Sequence, residues 1–418
     1  NPTMRPPRKF RPEPFEYHHE LELTIDSLSN LGIGVARVEL PEAARQENRP
    51  ESRWIVFVPF CLPGERVRAR IYRNDKSYSH ADLVEVLEAS PDRVEPNCPL
   101  FGKCGGCQYQ HLAYPRQLEW KRQQVAELLE HMAGITHEVL PTIPSPKEWH
   151  YRSKITPHFQ KPRNGKIETI GFLAHGTRSR TIELDQCPIA MDEINEALPR
   201  EKKHIRESAG KFKKGATLLL RAAASGVHTN PHDVVEERVG DLTFRFLAGD
   251  FFQNNPAILP AFTDHVAREA AVDCSYLVDA YCGSGLFTLS LASHFKEVAG
   301  IEVALTSADW ARQNARENGF DNVTIHTASA EHIFDEIAFP ADHTSVVIDP
   351  PRKGCGPEFL EQLFRFSPKR VVYVSCNPAT QIRDLQSFRE HGYKLTKVQP
   401  FDLFPQTRHL ECVVTLKR

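Results

Sequence analysis

Residues 249–418 alternate between short apolar runs rich in β-branched residues and longer amphipathic segments, and this alternation limits the fold more than any other feature. The strand-like runs are SYLVDAYC, EVAGIE, NVTIHT, SVVIDPP, RVVYVSC, YKLTKVQPF and HLECVVTLKR. The helix-like segments between them are LFTLSLASHF, ALTSADWARQNARENG, PEFLEQLFRF and ATQIRDLQSFREHG. Regular strand and helix alternation predicts an α/β domain with a doubly wound, Rossmann-like sheet.

A cysteine directly follows one of these predicted strands. The run VVYVSCNPAT breaks at Asn377-Pro378, which places Cys376 at the carboxyl end of its strand. Open α/β sheets bind their ligands at that edge. A cysteine there can act as a nucleophile once it is a thiolate. A lone buried cysteine is more often structural, so the surrounding motifs decide between the two interpretations.

The first predicted strand of this domain ends in a glycine turn, DAYCGSGL. Gly283 and Gly285 allow the backbone to approach a ligand closely, and Glu302 ends the next strand, where a carboxylate can hold ribose hydroxyls. A dinucleotide fingerprint would require a third glycine at the position of Thr288. The pattern of Asp279 followed by a G-x-G turn therefore favours S-adenosylmethionine over NAD.

Length and composition limit the remaining possibilities. A chain of 418 residues predicts two or three domains. Because the net charge is only -2, any nucleic-acid surface must be a local patch. We expect a loose lead over residues 1–16, without the apolar core of a signal peptide, and no membrane-spanning run. A cytoplasmic location follows as the expectation, with the ten cysteines as thiols, metal ligands or catalysts.

Residues 17–89 contain five short β-like runs separated by turn signals, which predict a small OB-like barrel. One run places basic and aromatic side chains close together, namely Arg66, Arg68, Arg70, Tyr72, Arg73, Lys76 and Tyr78. A solvated sheet face would show the same alternation. The segments DSLSNLGIGVAR and VFVPFCLPGERVRARI resemble the TRAM domain, a small RNA-binding barrel. This resemblance implies RNA binding.

Residues 90–248 are predicted to form a central α+β domain with a metal centre. Cys98, Cys104 and Cys107 have the spacing C-x5-C-x2-C, and Cys187 lies far downstream. Four cysteine ligands suit an iron–sulfur cluster or structural zinc. Zinc sites more often show two C-x2-C pairs, so the single pair here favours a [4Fe-4S] cluster. Full ligation by cysteine predicts a structural role for it.

The same central region contains one predicted helix and two basic runs. The helix covers residues 112–132 and is a candidate for packing on the catalytic domain. The basic runs contain Arg152, Lys154, Lys161, Arg163, Lys166, Arg178 and Arg180, and then Lys202, Lys203, Arg206, Lys211, Lys213 and Lys214. Such runs are usually solvated surface. Because they flank the predicted cluster in a nearly neutral chain, we interpret them as an RNA groove.

The motifs FFQNNP, DAYCGSG, IDPPRKG, VSCNPAT and HLECVVTL follow one another in an order that resembles the RNA uracil-C5 methyltransferase family, the 5-methyluridine synthases of rRNA and tRNA. The resemblance implies that Cys376 is the nucleophile and Glu411 the base. It also implies an S-adenosylmethionine site lined by Gln253, Tyr281, Gly283, Gly285, Leu286, Glu302, Ser329 and Asp349. At the position of Leu286 several relatives have Asn, and Ser329 falls near another polar ligand position.

The family's chemistry adds a cysteine thiolate to carbon 6 of uracil, methylates carbon 5 and then removes the carbon 5 proton. The four-cysteine cluster resembles the rRNA branch, so 23S rRNA is the expected substrate. The alternatives are the T-loop uridine of tRNA and a non-catalytic RNA-binding protein on a methyltransferase scaffold. We expect a monomer that binds structured RNA and no membrane.

Overall fold

The computed structural model describes residues 5–40, 53–329 and 332–418. The chain forms two compact units, Asn1–Trp120 with Gln406–Arg408, and Lys121–Pro405 with His409–Arg418. Within the described ranges, no helix has both the length and the apolar character that a bilayer crossing requires. The first four residues of the predicted lead lie outside the described residues. The predicted boundaries 17–89, 90–248 and 249–418 stay a prediction.

The first unit is built on a six-stranded sheet in the order β1-β5-β6-β4-β3-β2. Its strands are β1 Glu20–Thr24, β2 Ser27–Leu28, β3 Gly34–Val38, β4 Trp54–Val58, β5 Arg66–Asn74 and β6 Tyr78–Glu88. All neighbours are antiparallel except β4 and β6. Alternate residues such as Val67, Ala69 and Ile71 point into one apolar core. The predicted strand runs are confirmed, and closure of the sheet into a barrel stays a prediction.

The second unit begins within helix α1, Tyr114–Ala133, two residues from the predicted start. Three small sheets follow, ordered β10-β9-β8-β11, β13-β12-β7 and β14-β15. Their strands are β7 Lys154–Ile155, β8 His158–Phe159, β9 Ile170–Leu173, β10 Thr181–Glu183, β11 Ala216–Thr217, β12 Leu220–Ala223, β13 Gly226–His228, β14 Val234–Val239 and β15 Leu242–Leu247. Helix α2, Asp192–Glu207, separates β10 from β11. Residues 121–248 are therefore of the predicted α+β type.

A seven-stranded sheet in the order β18-β17-β16-β19-β20-β22-β21 forms the centre of the second unit. The strands are β16 Tyr276–Asp279, β17 Glu297–Glu302, β18 Val323–Thr327, β19 Thr344–Ile348, β20 Arg370–Ser375, β21 Lys394–Phe401 and β22 Glu411–Lys417. The helices are α3 Leu259–Ala271, α4 Leu286–Leu291, α5 Leu305–Glu317, α6 Pro357–Phe366 and α7 Pro378–Glu390. The predicted doubly wound sheet is confirmed.

The last strand of this sheet is inserted between two earlier ones. β16 to β20 pair in parallel, whereas β22 lies antiparallel between β20 and β21. Every residue of β19 and β20 is buried, because two apolar cores cover the two faces of the sheet. The insertion brings the end of the chain to the middle of the sheet.

Candidate active site

Cys376 and Glu411 lie directly beyond the last residue pair of the β20–β22 ladder. The β20–β22 ladder ends with Ser375 paired to Cys412. Because the pair is antiparallel, the next residue after Ser375 faces the residue before Cys412, and these are Cys376 and Glu411. Directly opposite residues have Cα atoms about 4.5–5.5 Å apart. The two predicted catalytic residues are therefore neighbours at one edge of the central sheet.

The Cys376 thiol is half-buried and surrounded by charged groups. Burial raises its pKa to about 11, and the nearby carboxyl groups of Glu411 and Asp349 contribute to the rise. The positive charge of the nearby Arg352 guanidinium acts in the opposite direction and lowers the pKa of the thiol. The thiolate is the nucleophile. Arg352 is thus the group that stabilises the reactive form of Cys376.

Glu411 is 3% exposed, and its Oε2 atom has no hydrogen-bond partner among the described residues. Burial raises its pKa well above the ordinary value, the charge of Asp349 adds to this, and Arg352 opposes it. A carboxylate with a raised pKa is a stronger base than one in water. When Glu411 is ionised, its Oε2 atom is therefore available as a proton acceptor.

Two hydrogen bonds attach the loop that contains Arg352 to the segment after Cys376. The side chains of Asn377 and Thr380 donate to the Arg352 carbonyl oxygen at 3.1 and 2.9 Å. Both donors belong to the N-terminus of α7, where Asn377 is also the cap. Arg352 was absent from the predicted site residues. The IDPPRKG motif indicated its loop but not its effect on the pKa of the Cys376 thiol.

The glycine turn after β16 lies against the end of β17. Gly283 and Gly285 have positive φ values of 53° and 102°, conformations that disfavour other residues. The Gly283 amide donates to the Glu302 carboxylate at 2.9 Å. The predicted cofactor residues Gly283, Gly285 and Glu302 therefore meet at the carboxyl ends of two adjacent strands. This is where the fold class binds a nucleotide.

Asp279 lies beneath this turn and was not among the predicted contacts. It is fully buried, and its Oδ2 accepts a 2.7 Å hydrogen bond from the Thr288 hydroxyl. No described residue bonds to its Oδ1. Burial raises the pKa of Asp279 to about 7. Thr288, which stands where a dinucleotide site has its third glycine, thus hydrogen-bonds to a buried acid.

The other predicted cofactor residues differ in how far they are buried. Gln253 is 7% exposed and precedes the 3-10 turn Pro256–Ile258, and Leu286 is 9% exposed at the start of α4. Tyr281 packs against Phe359 with ring centroids 5.1 Å apart, and burial raises its pKa. Ser329 is half-buried beside the undescribed residues 330 and 331.

Asp349 directly follows β19. Burial raises its pKa to about 7, and the charge of Asp279 adds to the rise. The charge of Asp349 also contributes to the raised pKa of Glu411. The contacts of Gln253, Tyr281, Leu286, Ser329 and Asp349 with a cofactor stay predictions.

The four predicted metal ligands are divided between the two units. Cys98, Cys104 and Cys107 belong to the first unit and Cys187 to the second. The Gly106 amide donates to the Cys104 sulfur at 3.3 Å, a geometry suited to a thiolate ligand. In the described part of the chain, no three side chains of the metal-binding types are grouped around one point. The four-cysteine metal site stays a prediction.

Comparisons with known proteins point to one family. A family described as tRNA (Uracil-5-)-methyltransferase matches residues 217–418. The tRNA (uracil(54)-C(5))-methyltransferase of Schizosaccharomyces pombe is 40% identical and covers 97% of this chain and 79% of its own length. The enzyme of the same name from Saccharomyces cerevisiae is 32% identical and covers 96% and 74%.

The fold has a counterpart among solved structures. The Pyrococcus abyssi tRNA (uracil-54, C5)-methyltransferase in complex with S-adenosyl-L-homocysteine has a TM-score of 0.69 at 23% identity and covers 95% of this chain and 100% of its own. The fold is that of an S-adenosylmethionine-dependent methyltransferase. At the level of sequence, the chain belongs to the tRNA (uracil-5-)-methyltransferase family, the RNA uracil-C5 methyltransferases.

Proposed function

We propose that the chain methylates carbon 5 of the T-loop uridine of tRNA, uracil 54, with Cys376 as nucleophile and Glu411 as base. The observation that carries this proposal is the placement of Cys376 and Glu411 directly beyond the last pair of the β20–β22 ladder, where the charge of Glu411 acts on the Cys376 thiol. The names of both yeast relatives favour the tRNA substrate over the 23S rRNA that the cysteine motif predicted. An intact reactive pair also argues against a non-catalytic scaffold.

In the first step the Cys376 thiolate adds to carbon 6 of uracil. The sulfur lone pair forms the S–C6 bond, and the C5=C6 electrons move onto carbon 5 and the adjacent carbonyl oxygen as an enolate. Arg352 stabilises the thiolate that this step consumes. The uracil must leave the stack of RNA bases to reach the sulfur, and this unstacking costs a few kcal/mol.

The cofactor end of the site supplies the alkyl group. S-adenosylmethionine, when bound, provides an electrophilic methyl group for carbon 5. Glu302 and the Gly283–Gly285 turn would hold the ribose and the chain of the cofactor, and the free Oδ1 of Asp279 would accept one of its donors. All of these groups lie at the edge of the sheet that carries Cys376, so donor and acceptor can meet in line.

Glu411 completes the reaction. Its carboxylate takes the proton from carbon 5, the C–H electrons form the C5=C6 double bond, and the S–C6 bond breaks with its electron pair on sulfur. The product is 5-methyluridine and the regenerated Cys376 thiolate. The unpartnered Oε2 is the atom suited to this transfer.

A basic patch on the sheet β10-β9-β8-β11 supports RNA binding. The pairing of β8 with β11 and the 4.9 Å contact of Phe159 with Phe212 bring residues 158–166 beside residues 211–217. The Gln160 side chain also donates to the Ser179 carbonyl oxygen at 3.2 Å, which joins a third segment. The exposed cations gathered there are Lys161, Arg163, Lys166, Arg178, Arg180, Lys211, Lys213 and Lys214. We assign the RNA backbone to this patch.

Ion pairs divide the second basic run into two parts. Lys202 and Arg206 pair with Glu183, and Lys203 lies 3.9 Å from Glu207. These α2 cations are neutralised within the protein. By contrast, no described residue forms an ion pair with any member of the basic patch. The patch is therefore the part of the run that is available to phosphate.

Two further proposals come from the sequence. The six-stranded sheet of the first unit would be a TRAM-type RNA-binding domain. Cys98, Cys104, Cys107 and Cys187 would hold a structural [4Fe-4S] cluster, with zinc as the alternative. The Gly106 amide on the Cys104 sulfur supports a thiolate ligand there. Anaerobically purified protein should contain about four iron atoms per chain, at the stoichiometry of the proposed cluster. Zinc without iron, or no metal, would remove the cluster from the account.

The substrate proposal is tested by in vitro methylation with radiolabelled S-adenosylmethionine. We expect label in a tRNA transcript, none in the same transcript with cytidine at position 54, and none in fragments of 23S rRNA. Label in the rRNA fragments with an unlabelled tRNA would restore the rRNA interpretation. A cytoplasmic location and a monomeric state stay proposals, the second open to sedimentation equilibrium.

A further inference from the structure

Residues 402–405 connect β21 to the remainder of the chain that leads to Glu411. We call them the 402–405 connection. Phe401, the last residue of β21, is paired with Glu411, the first residue of β22. The β20–β22 ladder stops one residue short, at Cys412. Glu411 therefore has a ladder partner only on the β21 side, and that partner is adjacent to the connection.

A fully buried ion pair holds the start of the connection. The Lys121 Nζ lies 2.7 Å from Asp402 Oδ1, and both side chains are 0% exposed. The same ammonium group donates to the Phe404 carbonyl oxygen at 3.3 Å. Asp402 Oδ1 in turn accepts from the Phe404 amide at 3.2 Å. Lys121 thus fixes both the side chain and the backbone of the connection.

Two further buried side chains form hydrogen bonds to the backbone of the 402–405 connection. Tyr151 is 1% exposed, and its hydroxyl donates to the Pro405 carbonyl oxygen at 2.9 Å. Asn255 is 1% exposed, and its amide donates to the Leu403 carbonyl oxygen at 3.1 Å. Asn255 lies two residues after Gln253 in the FFQNNP motif. One short connection is therefore attached to α1, to the segment before β7 and to a predicted cofactor segment.

Stability alone is a weak explanation for this arrangement. Apolar residues of similar volume often replace a buried ion pair without loss of stability, because desolvation of the two charges offsets their attraction. Directional bonds to three consecutive carbonyl groups fix the backbone more narrowly than apolar contacts do. Such precision matters next to a catalytic base, where a displacement of about 1 Å can cost a hundredfold in rate.

We propose that Lys121, Tyr151 and Asn255 are positioning residues that hold the 402–405 connection so that the Glu411 carboxylate faces the carbon 5 proton of the adduct. The inference rests on the proposed function. It concerns the last step, in which the proton moves to Glu411, the C–H electrons form the C5=C6 bond and the S–C6 bond breaks. Adduct formation by Cys376 does not depend on these three residues.

The test compares Tyr151→Phe with Tyr393→Phe. Tyr393 is a matched control, because it is 3% exposed and its hydroxyl also donates to a proline carbonyl oxygen, that of Pro368, beside the opposite end of β21. With ordinary tRNA, Tyr151→Phe should slow product release by about tenfold to a hundredfold and accumulate a methylated, denaturant-resistant enzyme–RNA adduct. Tyr393→Phe should accumulate none.

A second substrate, tRNA that contains 5-fluorouridine, separates adduct formation from removal of the carbon 5 proton. 5-Fluorouridine tRNA has no carbon 5 proton to remove, so both variants and the wild type should form the trapped adduct at rates within about twofold. The double variant Lys121→Met/Asp402→Leu, which removes the ion pair without leaving a lone charge, should behave like Tyr151→Phe.

Parallel loss of trapping and of methylation in Tyr151→Phe and the double variant, without an accumulated adduct, would make the connection merely structural and overturn the inference. Normal release in both variants would overturn it as well. A wild type that traps no fluorinated RNA would refute the proposed function itself, and the inference with it. The wild-type trapping experiment therefore separates the two failures.

Discussion

The buried carboxyl groups at the two ends of the central sheet differ in their hydrogen bonding. At the amino end of β20, Glu269 accepts from the Thr415 hydroxyl at 2.9 Å and from the Lys397 ammonium at 3.4 Å. At the carboxyl end, Asp279 and Glu411 each keep one buried oxygen without a partner among the described residues. Unsatisfied buried polar atoms are costly. We infer from this difference in hydrogen bonding that the amino end of the sheet contributes to stability, whereas the carboxyl end is suited to a reaction.

The largest contrast should come from cysteines at the two ends. Cys376→Ala should abolish adduct formation and lower methylation by roughly 10⁴-fold or more, because it removes the nucleophile. Cys274→Ala, just before β16 at the amino end, should leave the turnover number unchanged. Radiolabel transfer to tRNA measures both. Substantial methylation by Cys376→Ala would contradict the assignment of Cys376 as the nucleophile.

Carboxylates give the next contrast. Glu411→Gln should still form and methylate the adduct but release it about 10²- to 10⁴-fold more slowly, since it lacks a base. Denaturing electrophoresis should show a stable enzyme–RNA band with ordinary tRNA. Glu269→Gln, the matched substitution at the amino end, should cost about 1–3 kcal/mol of unfolding free energy without producing that band. A band of equal intensity in both variants would remove the special role of Glu411.

The pH dependence of stability should differ between the ends. Burial raises the pKa of both Asp279 and Asp349 to about 7, so the folded state binds protons that the unfolded state has released. This stabilisation is complete below about pH 4 and is lost as the pH rises through 7. The unfolding free energy should therefore fall by up to about 1.4 kcal/mol per pH unit and group in that window.

Asp279→Asn sharpens this prediction. The variant should flatten the fall between pH 5 and 8 in urea titrations, because the amide has no proton to lose. An identical slope in the wild type and in Asp279→Asn would show that the Asp279 carboxyl group is ionised throughout.

The smallest effect concerns the RNA surface. Lys213→Ala and Lys214→Ala should each weaken tRNA binding several-fold and lower the salt slope of the logarithmic binding constant by about one. Lys203→Ala is the control, because Glu207 already lies 3.9 Å from its ammonium group. Filter binding at several salt concentrations measures the slope. Equal slopes in all variants would exclude the patch from the interface.

The sequence predicted the sheet because periodicity is a local property. The strand runs and the glycine turn were each visible within ten residues. It could not predict that β22 enters between β20 and β21, which is the event that sets Glu411 opposite Cys376. The roles of those two residues came from family resemblance, and their proximity came from topology.

Contacts between distant residues were equally invisible. Lys121 and Asp402 are 281 positions apart, and each alone resembles an ordinary surface charge. Thr288 looked like a departure from a dinucleotide motif, yet its hydroxyl supports Asp279. Arg352 was visible only as part of the IDPPRKG motif. In each case the missing information was the three-dimensional partner of a polar group.

The most direct test of the account is to trap the adduct with tRNA that contains 5-fluorouridine and S-adenosylmethionine, digest it, and sequence both halves by mass spectrometry. We predict a crosslink that joins Cys376 to carbon 6 of the uracil at position 54, with the methyl group on carbon 5. A crosslink through another cysteine, or methyl transfer to uridine without any covalent adduct, would contradict the central claim.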